Sequence, residues 1–118
     1  MTPKVLVVED EPLLLLAAVD LVEEAGFEAL EALNAADAVP ILETVPEVCI
    51  LFTDIDMPGG MEGLNLAVSV RDCWPPMEII VVSGMKMPRT DELPSRGVFF
   101  AKPCDSIAVT KTLVAMGA

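Results

Sequence analysis

Glu9 and Asp10 follow the apolar run 5–8, Asp54 and Asp56 follow the run 48–52, Ser83 follows 79–82, and Lys102 follows 98–101. Acids, a hydroxyl and a lysine that each end an apolar run can share one rim if those runs lie side by side. Carboxylates brought that close repel one another and raise each other's pKa values. A hard divalent cation removes that penalty, and oxygen ligands of this kind suit Mg2+, or Mn2+. The remaining groups fit phosphoryl chemistry. A carboxylate can attack a phosphoryl donor, and a nearby lysine and hydroxyl can neutralise and hydrogen-bond the phosphoryl oxygens. Gly84 is expected to keep the approach to Asp54 open. Lys102-Pro103 is a candidate cis peptide that would aim the lysine back into the site.

The elements that must position these residues alternate along the chain. Residues 4–8 read as a strand buried on both faces. Pro12 suits a first helical turn, and 13–25 read as a helix closed by Gly26. Residues 27–32 form a weaker strand candidate. Asn34 can cap a second helix running to about Thr44, which Pro40 should kink or shorten. Residues 48–52 are a second buried strand ending at Thr53-Asp54. The loop Met57-Pro58-Gly59-Gly60 leads into a helix over 62–72, stopped by Trp74-Pro75-Pro76. Residues 78–82 and 97–101 are the last strands, and Asp105 caps a final helix containing Ile107 and Leu113. With Pro88, Pro94 and few apolar positions, 85–96 should not form a full amphipathic helix. Strands alternating with helices imply a doubly wound α/β fold with a five-stranded parallel sheet, and such sheets bind ligands beyond their carboxyl ends. Phe99 and Phe100 should face opposite ways, one in the core and one nearer the surface.

Composition narrows the function further. The 118 residues suit a single domain, 1–118. Nineteen acidic against seven basic residues give a net charge of −12, and the basic residues are scattered. That speaks against nucleic acid and anionic membranes as partners. The chain has no histidine, so a Ser-His-Asp triad, a histidine-ligated zinc and a phosphohistidine are excluded. Cys49, Cys73 and Cys104 form no CxxC pair and read as free thiols, buried fillers in a cytoplasmic protein. No signal peptide is visible, and no apolar stretch is long enough to span a bilayer. The Met1 start and the glycine-alanine end favour a stand-alone protein.

Taken together the motifs resemble the receiver domain of bacterial two-component response regulators, over essentially the whole chain. VLVVEDEP resembles the acidic-pair motif, TDIDMPGGMEGL the phosphoacceptor loop, VVSG the switch-hydroxyl motif and FFAKP the lysine motif. The resemblance implies a flavodoxin-like sheet of strand order 2-1-3-4-5. It implies that Asp54 accepts a phosphoryl group from the histidine of a kinase or phosphotransfer protein. Asp10, Asp54 and the backbone carbonyl of Asp56 would bind Mg2+, with Glu9 acting partly through water. Ser83 and Lys102 would contact the phosphoryl group, and Phe99 would be the switch aromatic. Asp56 and Met85 occupy the positions at which the family tunes phosphoryl lifetime. The chain departs from the family pattern in its short 85–96 segment, which implies a short or absent fourth helix, and in Cys104, where phenylalanine is common. A downstream protein target is expected, and a homodimer stays open.

Leu13, Leu14, Leu15 and Leu16 point every way around the first helix, more apolar surface than one buried stripe needs. Leu14 and Leu15, with Pro103 and Cys104, are therefore candidate partner-binding residues, the helix being a common docking element in the family. Two rival readings share part of the signature. Haloacid-dehalogenase-like phosphatases use a DxD such as Asp54-Ile55-Asp56, and Toprim nucleotidyl-transfer domains pair a strand-end Glu with a later DxD. The first needs a further acidic pair downstream, and after Lys102 only Asp105 stands. The second acts on nucleic acid. Neither explains Ser83 with Lys102.

Overall fold

The computed structural model describes residues 3–56, 62–84 and 88–117. The expected loop Met57-Pro58-Gly59-Gly60 and Met85 lie outside the described residues. Strands β1 (Lys4–Val8), β2 (Glu28–Ala32), β3 (Val48–Asp54), β4 (Glu78–Ser83) and β5 (Gly97–Ala101) alternate with helices α1 (Pro12–Glu24), α2 (Ala35–Thr44), α3 (Glu62–Cys73) and α4 (Ser106–Met116). The strands pair in parallel in the order β2-β1-β3-β4-β5. This is the order the family resemblance implied.

Alternation along each strand divides the core into two layers. Leu6, Val8, Leu51, Ile79 and Val81 pack with α2 and α3, whereas Val5, Val7, Ile50, Phe52, Ile80 and Val82 pack with α1 and α4. Both sheet faces are covered, which is why the central strands are continuous apolar runs. α1 buries Leu15, Val19 and Val22, and α4 buries Val109 and Leu113. These spacings of three and four residues are one helical stripe. Phe99 and Phe100 do face opposite layers, but both are half-buried, each packed against a different core. The expectation that one would lie in the core and the other nearer the surface fails because β5 is the edge strand, where each face is only partly covered.

Caps stand where short polar side chains precede apolar periodicity. Asn34 accepts the Asp37 N–H at 2.8 Å, and Asp105 accepts those of Ile107 and Ala108 at 3.0 and 3.3 Å. Pro40 does not shorten α2. It lies on the exposed side, where the carbonyl it leaves without an N–H partner can face water.

Between β4 and β5 the described residues hold only a single 3-10 turn, Thr90–Glu92, in place of a helix. The far end of this connector is anchored by Arg71 of α3, which is buried. Its Nε donates to Ser95 O at 2.8 Å, and Nη1 donates to Pro75 O and Met77 O, each at 2.7 Å. Arg96, in the left-handed region at φ 62°, adds a bond from Nη2 to Pro75 O at 2.6 Å. Burial, and then the neighbouring Arg96, lower the Arg71 pKa from its ordinary value. Among the described residues no helix is long and apolar enough to cross a membrane.

Candidate functional site

Register carries the motif residues to one edge of the sheet. Val8 pairs with Thr53, Asp54 with Val82, and Ser83 with Ala101. Glu9, Asp54, Ser83 and Lys102 are therefore within a residue or two of one level at the carboxyl ends of β1, β3, β4 and β5. Backbone bonds continue the ladder past the strand ends: Glu9 N–H donates to Ala32 O at 3.1 Å, and Lys102 N–H to Ser83 O at 2.9 Å.

Carboxylate oxygens of Glu9, Asp10 and Asp54 all lie within 4.8 Å of one another. Glu9 and Asp54 are 4% and 2% exposed, so water screens them little. The Lys102 ammonium answers them, with Nζ 3.0 Å from Glu9 Oε1 and 3.1 Å from Asp54 Oδ2. Burial, reinforced by Asp54, nonetheless lifts the Glu9 pKa to about 7, with the Lys102 hydrogen bond pulling the other way. Burial also works to lower the Lys102 pKa, but its bonds to the two carboxylates outweigh this and leave it raised. Two buried carboxylates, a third beside them and one lysine remain electron-rich, and an all-oxygen cluster of this size fits a hard divalent cation.

Asp54 is held at both oxygens, Oδ2 by Lys102 and Oδ1 by the Asp56 N–H at 2.9 Å. The Asp56 carboxylate turns away from the cluster. Its Oδ1 accepts the Ser83 hydroxyl at 2.6 Å, and its Oδ2 accepts the Gly84 N–H at 2.7 Å. If Asp56 reaches the cation, it does so through its backbone carbonyl. A Cβ on Gly84 would stand 3.3 Å from the Lys102 Cβ, so the missing side chain makes room for the lysine stem. The Lys102-Pro103 bond is cis.

The expected partner surface is partly corrected. Leu13, Leu14 and Leu16 are 75%, 45% and 58% exposed, but Leu15 is buried in the layer between α1 and the sheet. The run of four leucines must point one side chain inward, and with Val19 and Val22 that one is Leu15. Leu14 borders a groove of about 290 Å3 beside Glu9 and Lys102, also lined by Leu21, Pro103 and Cys104. Cys104 and Cys49 are half-buried as expected of fillers, and burial raises both thiol pKa values, but Cys73 is exposed.

Two positions carry more than their residue types suggest. A Cβ on Gly63 would overlap the Asp54 carbonyl, so only glycine lets α3 approach β3 this closely. Arg71 looks in the sequence like one more scattered surface cation. Its only signal is its place before the Trp74-Pro75-Pro76 stop, whose carbonyls need donors.

The family model described as the response regulator receiver domain matches residues 5–113. Transcription regulator BvgA of Bordetella pertussis is 33% identical over 83 residues, 69% of this chain and 38% of that protein. The chain thus spans about two fifths of the length of that curated relative. A receiver protein from Pseudomonas putida is 28% identical with a TM-score of 0.79, covering 98% of this chain and 97% of the other. One from Sinorhizobium medicae superposes with a TM-score of 0.87 at 24% identity, covering 99% and 96%. The phosphatase and nucleotidyl-transfer alternatives find no support in these matches. The matched span contains all four motifs, at the strand ends where the sheet register sets them, and the chain belongs to the response regulator receiver domain family.

Proposed function

We propose that residues 1–118 act as one receiver unit that takes a phosphoryl group onto Asp54 from a phosphohistidine on a kinase or phosphotransfer protein. The observation that carries this reading is the buried Asp54 carboxylate, with Lys102 Nζ 3.1 Å from Oδ2 and the Asp56 amide 2.9 Å from Oδ1. An Asp54 oxygen attacks phosphorus. The O–P bond forms as the P–N bond breaks, and its electron pair returns to the ring nitrogen. The ring's other nitrogen carries the proton that makes imidazole a neutral leaving group. Lys102 is within reach of an oxygen carried on Asp54, and Ser83 would supply a hydroxyl from the neighbouring strand end. Mg2+ or Mn2+, held by Glu9, Asp10, Asp54 and the Asp56 carbonyl, would supply positive charge against the carboxylates and the incoming phosphoryl oxygens. Phe99, packed on the α2/α3 side of β5, is the candidate aromatic that reports a change at Ser83. The product is an acyl phosphate on the protein itself, so the unit signals by contact with a downstream protein rather than by turnover. A cytoplasmic location and an optional homodimer fit this role.

Incubation with Mg2+ and acetyl phosphate should add one acid-stable, base-labile phosphoryl group, seen by intact mass and lost in Asp54→Asn. Multiple-turnover phosphatase activity without an adduct would overturn the assignment. Leu14→Glu should leave stability within about 0.5 kcal/mol, as surface changes usually do, and leave uptake from acetyl phosphate unchanged. It should slow transfer from a phosphorylated partner protein, and an unchanged partner rate would exclude this end of α1 from docking. Leu15→Glu is no substitute test, because it would place a carboxylate in the core.

A further inference from the structure

The Asp56 carboxylate is a bidentate anion seated on the end of β4. One oxygen takes the Ser83 hydroxyl at 2.6 Å and the other the Gly84 amide at 2.7 Å. A short hydroxyl-to-carboxylate contact belongs to the strong, charge-assisted class. Two oxygens of one anionic group on a hydroxyl and an adjacent backbone N–H is also how one face of a phosphoryl group would be held. Asp54, the acceptor, is two residues away, and its Oδ1 is tied to the Asp56 amide.

We propose that Asp56 is a built-in competitor of the phosphoryl group: its carboxylate occupies the Ser83 hydroxyl and Gly84 amide that the modified Asp54 needs. This rests on Asp54 being the acceptor. Phosphorylation brings three anionic oxygens to the rim. To give its hydroxyl to one of them, Ser83 must release Asp56, and the displaced carboxylate is left facing a like charge. Both effects hold the modified state uphill and keep Ser83 turned toward Asp56 until a phosphoryl group displaces it. Asp56 is thus a positioning residue acting through Ser83, distinct from the cation cluster that its side chain does not join.

A double-mutant cycle on the full chain tests this, with Mg2+ and acetyl phosphate and with Asp54 modification followed by intact mass. Asp56→Ala should raise the initial rate and the steady-state fraction by about tenfold, the scale of one charge-assisted hydrogen bond. Asp56→Asn keeps the shape without the charge and should give a smaller gain in the same direction, which guards against a folding defect in the alanine variant. In a Ser83→Ala background the gain from Asp56→Ala should shrink, because only the Gly84 amide and the like charge then remain for Asp56 to act through. A wild-type chain that takes no phosphoryl group defeats the acceptor reading itself. Wild-type uptake with no gain in either Asp56 variant defeats the competitor alone. A gain that persists undiminished without the Ser83 hydroxyl also overturns it, since bare charge repulsion would then suffice.

Discussion

Lys102→Met should reduce phosphoryl uptake at Asp54 by a hundredfold or more, with the fold weakened at the same time. Among the described residues Lys102 is the one cation that touches both Glu9 and Asp54, at 3.0 and 3.1 Å. Removing a single donor aimed at developing anionic charge typically lowers rates by about 10²–10³. Methionine keeps the length and the apolar stem beside Gly84 but leaves two buried carboxylates without their counter-charge. Breaking one partner of a buried pair generally costs about 3–5 kcal/mol. Lys102 is one-fifth exposed, so the loss should fall toward the lower end of that range. Acetyl phosphate uptake by mass and urea unfolding at pH 8 measure the two effects. Wild-type uptake in Lys102→Met would remove the lysine from the mechanism.

The cation-free protein should be more stable at pH 5.5 than at pH 8, by an amount that Glu9→Gln reduces. In the folded state Glu9 titrates at about 7, against the ordinary 4.5 for an unfolded chain. Between those values the folded form holds a proton that the unfolded form has released, so stability falls as pH rises. The contribution is complete below 4.5 and is lost as pH climbs through 7. Its ceiling is about 3 kcal/mol, since each tenfold change in proton affinity is worth about 1.4 kcal/mol. A chain of net charge −12 also gains stability at low pH from reduced self-repulsion. Only the difference between wild type and Glu9→Gln in urea midpoints, with chelator present, isolates the site. The same proton must leave before a cation can use Glu9, so apparent Mg2+ affinity should fall about tenfold per pH unit below 7. Equal pH dependence in wild type and Glu9→Gln would contradict the assignment.

These effects depend on residues whose types are conspicuous in the sequence, whereas their interplay is not. Glu9, Asp10, Asp54, Ser83 and Lys102 can be placed on one rim because each closes an apolar run and parallel strands end at one level. The single 3-10 turn in the described part of the β4–β5 connector is also legible, because two prolines and sparse apolar positions in 85–96 cannot make an amphipathic helix. Side-chain direction is harder. Nothing in four consecutive leucines says that Leu15 turns inward, since that depends on how α1 is rotated against the sheet. Type and proximity group the Asp56 carboxylate with the metal-binding acids, yet two hydrogen-bond donors at the end of β4 capture it. Arg71 is nearly hidden, its one cue being the Trp74-Pro75-Pro76 stop, because its other partner is the backbone carbonyl of a loop 24 residues on, which no spacing rule connects.

The Arg71 anchor has a mechanical consequence. The strand ends bearing Ser83 and Lys102 are joined by a connector whose near end begins at the Ser83 hydroxyl and whose far end is tied at Ser95 to α3. Movement that starts at Gly84 enters a short leash with one end nailed down. It must be absorbed before Ser95, because beyond that point a guanidinium with three backbone bonds resists it. Where a longer crossover would spread a disturbance along a helix, the Arg71 tie would stop it at Ser95. A protein reading the state of Asp54 from that side would have to grip within a few residues of the site itself.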